Sequence, residues 1–328
     1  MKILSIIVPS YNVENYLEKC LDSMVQSNEV LDNCEIIIVN DGSLDRTQEI
    51  AERYRENYES VKVIKKENGG HGSAINAGVQ KARGKYFKVL DADDWVVTEN
   101  FCSFLQKLQE SGEDIVAHYQ YEIYEDIHET KEKKIASVEP GRHYQMAEIP
   151  PDTWLGLSNI CFKTEKYREH HTVLDEKCFY VDMEYILYPL QYMEDFIVYD
   201  DVVYCYRLGN PNQSVNHQSM YRNKKDHLQV IYHLLDFYNG MINSGAEGNL
   251  MDYVENKLAD LIKAHYYIYF SNLVTIEDIR NLIEFDSNIK QYKRLYNKTN
   301  DSKSIHLVRR MHFKCFPFMM RLYRKIIR

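Results

Sequence analysis

Three carboxylates close together at residues 91–94 form the segment with the clearest chemical meaning. Residues 86–90 are rich in β-forming side chains and predict a buried strand, and Asp91, Asp93 and Asp94 follow directly. Carboxylates this close repel one another and resist desolvation unless a cation lies among them. Hard oxygen ligands favour Mg²⁺ or Mn²⁺, which commonly bridge a carboxylate to a phosphate. The segment therefore predicts a divalent-metal site, with a solvated acidic turn as the alternative.

Two other predicted strands end in polar residues that could face the same ligand. Residues 4–8 lead into Pro9-Ser10-Tyr11-Asn12, and residues 35–39 lead into Asn40-Asp41-Gly42-Ser43. Ligands of an open α/β sheet bind at the carboxyl ends of its strands. A tyrosine ring can stack on a pyrimidine and an aspartate can accept the uracil N3–H, so the pair predicts a pyrimidine-nucleotide site. Taken alone, the first motif could be a turn and Asp41 a helix cap.

The order and spacing of these motifs resemble those of the family 2 glycosyltransferases. The resemblance covers roughly residues 3–210, most closely 3–100, and rests on Ile6–Asn12, Ile38–Asp45, Asn68–Gly70 and Asp91–Asp94. It implies the GT-A fold, a Rossmann-like, mostly parallel α/β sheet.

The resemblance also implies an activity and a set of contacts. A hexosyl or N-acetylhexosaminyl group would move with inversion from a UDP-sugar to a glycan, a glycosylated protein or a lipid-linked acceptor, with Mn²⁺ or Mg²⁺ as cofactor. The implied contacts are the uracil for Pro9, Tyr11 and Asp41, the ribose side for Asp91, and the metal for Asp93.

A second acidic motif supplies a candidate catalytic base. Inverting transfer needs a carboxylate that takes the proton of the acceptor hydroxyl. Residues 179–185 resemble the family's acidic element that opens a helix and provides this base. Val181 occupies the place of the first acid of that element, which leaves Asp182 as the candidate base and Glu184 at the surface or behind the site. An aspartate at a helix start could instead be a cap.

Four further side chains are candidate contacts for the diphosphate or the acceptor. Many relatives carry Ala-Arg-Asn after the glycines, whereas Ile75 stands in the place of that arginine, so His71 could supply a donor instead. Asp94 extends the acidic cluster, Arg207 (or His217 in its place) could reach the diphosphate, and Trp154 could stack on an acceptor sugar. The alternatives are a surface turn histidine, a structural ion pair and an ordinary core tryptophan.

The elements that must position these residues alternate between strand and helix. Apolar residues recur at helical spacing from Val13 to Met24, and further helices are predicted up to about residue 58 and from the glycines at 69–72 to about residue 83. A third strand is predicted at 61–64. This β-α-β order predicts a parallel sheet. A helix at 101–111, a strand at 114–121, a charged turn-like stretch at 122–139, and short strands with one helix over 152–210 complete the first part.

Three segments are expected: a catalytic domain at 1–215, a helical region at 216–300 and a basic amphipathic tail at 301–328. Of the 40 Lys and Arg residues, eight lie in 303–328, where no acid occurs; residues 1–302 carry the other 32 and all 49 acids, a net −17. An acidic body disfavours nucleic acid as a partner. The tail predicts peripheral contact with a membrane surface. The alternative is packing against the acidic body or a partner subunit.

Composition predicts a cytoplasmic protein, with the tail on the inner face of the cell membrane. Seven scattered cysteines without a C-x-x-C pair favour a reducing compartment. The short apolar run at the N-terminus ends at Pro9 and predicts a strand rather than a signal peptide.

The sequence thus predicts a metal-dependent inverting glycosyltransferase. Nucleotidyl transfer would want a glycine-rich phosphate loop with a Lys or Arg, which residues 9–12 do not offer. The alternative from another class is a non-catalytic GT-A scaffold of a glycosylation complex, against which the acids at 91, 93 and 182 argue. The donor sugar, the acceptor and the oligomeric state, including a homo-oligomer, stay open.

Overall fold

The computed structural model describes residues 2–209, 216–272 and 275–314. The chain forms two compact units, Met1–Asn210 and Pro211–Arg328. The strands of the first unit are β1 Leu4–Ser10, β2 Cys34–Asp41, β3 Val61–Lys66, β4 Tyr86–Val89, β5 Trp95–Val96, β6 Ile115–Tyr124, β7 Glu129–Lys133, β8 His143–Gln145, β9 Ile160–Lys163 and β10 Asp195–Leu208. Its α-helices are α1 Leu17–Val25, α2 Asn28–Asn33, α3 Thr47–Asn57, α4 His71–Lys81, α5 Thr98–Glu110, α6 Thr164–Glu169 and α7 Asp182–Leu187.

One mixed sheet runs through the first unit, with strand order β3-β2-β1-β4-β9-β6-β10-β5, β7 paired with β6, and β8 with β10. Strand β1 is parallel to both β2 and β4, and β2 is parallel to β3. Every residue of β1 and β2 is buried, as expected of parallel strands covered on both faces. The carboxyl ends of β1, β2 and β4 therefore meet at one edge of the sheet.

Helices pack on this sheet through the apolar faces that the sequence predicts. Helix α1 buries Leu17, Cys20, Leu21 and Met24, which recur at helical spacing. Helix α4 approaches β1 so closely that a Cβ on Gly78 would lie 2.4 Å from the Cγ2 atom of Ile7. The predicted α/β class is confirmed.

Two expectations for the middle of the chain need correction. The charged stretch at 122–139 is only partly a turn region: it turns at residues 125–128 and 136–138, but β6 continues to Tyr124 and pairs with β7 as an antiparallel hairpin. The β7 side chains are mostly exposed, so a strand can carry them without an apolar pattern. The last strand is not short: β10 has 14 residues, and register shifts between Tyr199 and Tyr204 accommodate the Asp200-Asp201 pair within it.

The second unit is helical. Its helices are α8 His217–Arg222, α9 Lys224–Asn243, α10 Asn249–Phe270, α11 Ile276–Ile289, α12 Lys293–Thr299 and α13 Lys303–Arg310. Within the described ranges, none of the helices is long and apolar enough to span a bilayer. Of the predicted basic tail, residues 315–328 lie outside the described residues. The predicted boundaries at 215 and 300 stay predictions.

Candidate active site

The turn after β4 carries the three clustered carboxylates. The backbone N–H of Asp94 donates to the carbonyl of Asp91 at 3.0 Å and closes the turn. Asp91 and Asp93 are partly exposed, whereas Asp94 is 1% exposed. The Asp94 carboxylate accepts from the Tyr204 hydroxyl at 2.5 Å and from the Arg207 N–H at 2.7 Å. Asp94 thus faces the protein interior and supports the turn, which argues against the predicted diphosphate or acceptor contact.

The turn holds more negative charge than its surroundings compensate. Loss of hydration, with the charge of Asp91, raises the pKa of Asp93 to about 6. Burial also raises the pKa of Asp94 well above its usual range, and the Asp93 and Asp91 charges add to this effect. A cation bound beside Asp91 and Asp93 would relieve this repulsion, so the charge of the turn and its oxygen ligands suit a divalent metal.

Two buried cations lie close to the turn. The Lys88 ammonium is buried and donates to the carbonyls of Val89 and Ser158 at 3.1 Å each. Burial lowers the pKa of Lys88 to about 8, against the opposing charges of Asp91 and other groups. Sequence reasoning missed Lys88, although a lone cation inside an apolar strand was a signal.

Arg207 is the second of these cations. Its Nε–H donates to the Asp93 carbonyl at 2.8 Å, and Nη1 donates to Glu125 Oε1 at 2.6 Å. The guanidinium also lies 5.2 Å from the Trp95 ring centroid. These contacts assign Arg207 to holding the turn in place, and they argue against the predicted diphosphate contact.

His71 connects the acidic turn with the candidate base. It begins α4, and its Nε2 lies 2.9 Å from Asp91 Oδ1. Burial lowers the pKa of His71, but the hydrogen bond to Asp91 and the charges of Asp91, Asp182 and Asp93 outweigh it, so the net pKa is raised. About a third of the side chain stays open to solvent. By contrast, Ile75, which replaces the family's arginine, is fully buried.

Asp182 stands at the start of α7, within electrostatic range of His71 and Asp91. Loss of hydration raises its pKa to about 6, and the Asp91 charge adds to this while His71 opposes it. The residue still exposes surface to solvent. A group with this pKa that remains accessible suits a general base.

The loop that carries Asp182 is tied to helix α4. The Asn76 side chain accepts from the Leu174 N–H at 3.0 Å and donates to the Leu174 carbonyl at 2.9 Å. A Cβ on Gly72 would lie 2.2 Å from the Asp175 carbonyl oxygen, so only glycine permits this approach. These contacts bring residues about 100 positions apart in the chain to one place, and sequence reasoning did not find them.

Glu184 secures the same loop from below. It is fully buried, and its carboxylate accepts from the Asp175 N–H at 2.8 Å and from the Tyr188 hydroxyl at 3.3 Å. The sequence predicted Glu184 either at the surface or behind the site, and the surface position is wrong. The residue lies behind Asp182, on the inner side of α7.

Asp41 lies at the end of β2 and is 2% exposed. One carboxylate oxygen accepts from Lys66 Nζ at 2.6 Å and from the Gly69 N–H at 3.0 Å, and the other accepts from the Gly70 N–H at 2.7 Å. A carboxylate has about four acceptor positions, so one remains for a ligand. Lys66 is a further residue that the sequence did not indicate.

Tyr11 lies at the same edge of the sheet, with its side chain 49% exposed, while Pro9 is buried within β1. The next residue, Asn12, joins the loops after β1 and β2: its N–H donates to Ser43 Oγ at 3.0 Å, and its side-chain oxygen accepts from the Leu44 N–H at 2.8 Å. These contacts join the loop that carries Tyr11 to the loop after β2.

Trp154 has a different environment. Lys133, the last residue of β7, places its ammonium 3.9 Å from the indole centroid. This cation–π contact attaches the hairpin to Trp154. A role as acceptor platform stays a prediction.

A family model described as "Glycosyl transferase family 2" matches residues 5–169. The chain belongs to this family. The predicted family membership is confirmed, and with it the enzyme class, a glycosyltransferase.

Two relatives of this glycosyltransferase come from Bacillus subtilis. "Uncharacterized glycosyltransferase EpsJ" of Bacillus subtilis is 31% identical over 252 residues, which cover 74% of this chain and 72% of EpsJ. "Putative glycosyltransferase EpsH" of the same organism is 38% identical over 147 residues, covering 43% of this chain and 41% of EpsH. The chain thus spans less than half of EpsH in that match.

Solved structures share the fold of this glycosyltransferase. TarS 1-349 of S. aureus in complex with UDP has a TM-score of 0.63 at 18% identity, covering 94% of this chain and 92% of TarS. Mannosyltransferase PcManGT from Pyrobaculum calidifontis, in complex with GDP-Man and Mn²⁺, has a TM-score of 0.52 at 14% identity, covering 90% and 83%. The predicted GT-A fold followed by a helical region is confirmed.

Proposed function

We propose that this glycosyltransferase transfers a hexosyl or N-acetylhexosaminyl group from a UDP-sugar, with inversion and with Mn²⁺ or Mg²⁺, to a hydroxyl of a glycan, a glycosylated protein or a lipid-linked acceptor. One observation carries the proposal: Asp91 and His71 lie in contact, with Asp93 and the accessible Asp182 within electrostatic range. The TarS structures in complex with UDP and with UDP-GlcNAc support the choice of donor.

The uracil would bind between the loops after β1 and β2. The exposed Tyr11 ring offers a surface for stacking, and the remaining acceptor position of Asp41 would take the uracil N3–H. The Gly69 and Gly70 N–H groups hold the Asp41 carboxylate in a defined direction. Pro9 would line the pocket as part of β1, and Asp91 would face the ribose.

Asp93 would hold the divalent ion, together with oxygens of the donor diphosphate. Its raised pKa and its closeness to Asp91 mean that the folded chain favours a cation there. PcManGT, a fold neighbour, is a complex with Mn²⁺. When bound, the ion supplies positive charge that stabilises the departing diphosphate.

Asp182 would act as the base. The acceptor hydroxyl oxygen attacks the anomeric carbon, the bond from that carbon to the diphosphate oxygen breaks with its electron pair staying on UDP, and the hydroxyl proton moves to the Asp182 carboxylate. Attack on the face opposite the leaving group inverts the anomeric centre. His71, whose raised pKa favours the protonated imidazole, would donate to the diphosphate in place of the arginine that Ile75 replaces.

The test measures release of nucleoside diphosphate from a panel of UDP-, GDP- and dTDP-sugars with Mn²⁺, with Mg²⁺ and with EDTA. Donor binding is followed on the same panel by calorimetry, since turnover without an acceptor can be slow. We expect metal-dependent binding of a UDP-sugar that Asp93→Asn abolishes. The control Asp260→Asn removes an exposed carboxylate of the second unit and should leave binding unchanged.

Two outcomes would contradict the proposal. Equal binding with Mn²⁺ and with EDTA would remove the metal assignment. Failure of every donor to bind with metal present would favour the non-catalytic scaffold.

A further inference from the structure

Helix α13, Lys303–Arg310, has two faces of different chemistry. Ile305 and Val308 are buried, and the Arg309 side chain is 6% exposed. Around the helix, these three residues occupy one side. The opposite side is exposed, and we call it the α13 outer face; it consists of Lys303, His306, Leu307, Arg310 and the following Met311.

Arg309 fixes the rotation of the helix within the second unit. Its Nε donates to Asp286 Oδ1 at 2.6 Å. The guanidinium also makes a cation–π contact with Tyr296, with its carbon 3.7 Å from the ring centroid. Its remaining hydrogen bonds go to Tyr296 O, Thr299 Oγ1, Asn300 Oδ1 and Tyr266 Oη. So many contacts from one side chain leave α13 a single orientation. One cation of the basic segment is therefore structural, and the α13 outer face is held toward solvent.

The α13 outer face combines cations with exposed apolar side chains. Leu307 is 42% exposed and Met311 is 38% exposed, and Lys303 and Arg310 flank them. Between Ser302 and Lys314 the sequence contains no acid. A helix lying in a membrane interface has this chemistry, since apolar side chains enter the acyl boundary while cations meet lipid phosphates.

We propose that the α13 outer face docks the protein on an anionic lipid surface. The charge distribution supports this partner over a second copy of the chain. Residues 1–302 carry a net −17, so anionic lipid repels most of the surface and attracts the basic segment, which would orient the protein. The acidic surface of a second copy would match Lys303 and Arg310, but it would leave Leu307 and Met311 against charged groups. The proposal does not depend on the proposed function, because docking needs no donor.

The test is cosedimentation of the full chain with vesicles of phosphatidylcholine alone and with added phosphatidylglycerol. We expect binding only to the anionic vesicles. The double variant Lys303→Glu/Arg310→Glu should lower the partition coefficient by at least about 30-fold, since each cation near the lipid contributes about fivefold and the introduced acids add repulsion. Leu307→Asn/Met311→Asn, which keeps the charge, should weaken binding to a smaller extent.

A matched control tests whether binding depends on the α13 outer face or only on the net charge of the protein. Lys65→Glu/Lys81→Glu makes the same change in net charge at exposed lysines of the first unit and should leave vesicle binding unchanged. An equal loss in this control, unchanged binding of Lys303→Glu/Arg310→Glu, or equal binding to neutral vesicles would each overturn the proposal. If the α13 variants change the mass measured by light scattering but not vesicle binding, the face joins copies of the chain and the lipid assignment is wrong.

Discussion

The acidic turn of the first unit and the Asp286 cluster of the second unit differ in how far the charge of their carboxylates is compensated. Asp286 is paired with the Arg309 guanidinium at 2.6 Å and accepts from the Tyr266 hydroxyl at 2.5 Å. Asp93 has Asp91 as a close like charge, and its pKa rises to about 6. The chain itself neutralises Asp286 with Arg309, whereas it leaves the acidic turn short of positive charge. Carboxylates whose charge the nearby cations of the chain do not balance mark the place where a further cation or a proton binds from outside.

The difference is also one of solvent access. Arg309 and Asp286 are almost fully covered, so removing either partner would leave a buried charge uncompensated, and the pair leaves little surface for a ligand. Asp182 and Asp93 keep open surface although the surrounding protein removes part of their hydration. Because both carboxylates are accessible, they can take part in a reaction. Because their charge is poorly compensated, their ionised forms are not stabilised in the unliganded fold.

The largest expected effect is on the reaction. Asp182→Asn should lower the rate of sugar transfer about a thousandfold, because an amide cannot take the acceptor proton, while donor binding is kept. Single-turnover transfer and calorimetry measure the two quantities. Glu176→Gln changes an exposed acid of the same loop and serves as the control. Wild-type transfer by Asp182→Asn would show that another group is the base.

The next largest effect concerns the compensated Asp286 cluster. Arg309→Ala should lower the free energy of unfolding of the second unit by about 3 kcal/mol, because Asp286 is left buried without its cation. Urea denaturation measures this change. The exposed neighbour Arg310→Ala should leave stability nearly unchanged. Equal stability of the two variants would mean that the Asp286 cluster does not hold α13.

The pH dependence of transfer should follow the base. Because the pKa of Asp182 is raised to about 6, the fraction of deprotonated carboxylate falls as pH drops through that value. With saturating metal and donor, the rate at pH 5 should be about tenfold below its plateau above pH 7. A profile that is flat between pH 5 and pH 7 would contradict this assignment.

The smallest effect concerns stability without metal. The folded-state pKa of Asp93 is about 6, above the unfolded value of about 4, so its stabilising contribution is present below pH 4 and is lost as pH rises through 6. In EDTA at pH 7, Asp93→Asn should therefore stabilise the first unit, by no more than about 1 kcal/mol because the side chain keeps part of its hydration. Thermal unfolding with EDTA and with Mn²⁺ checks both signs: Mn²⁺ should stabilise the wild type and not the variant. A less stable variant in EDTA would show that Asp93 is already compensated within the chain.

Much of the first unit could be predicted because its signals are local. The continuous apolar runs of β1 and β2 and the helical spacing in α1 each arise from the burial of one element. Where burial did not shape the sequence, the prediction was wrong: β7 is an exposed strand of charged residues, and β10 continues through two aspartates.

By itself the sequence determined which groups could do chemistry, because Asp91, Asp93, Asp41 and Tyr11 follow directly after strands whose direction the β-α-β order implies. Only the tertiary structure decided which of them are free to act. Asp94 and Tyr204 meet across 110 residues, and Leu174 and Asn76 across 98. Such pairs depend on how distant segments pack, and packing leaves no periodic pattern in either segment. Burial, hydrogen bonding and net local charge, which separate a supporting carboxylate from a reactive one, exist only once the chain has folded.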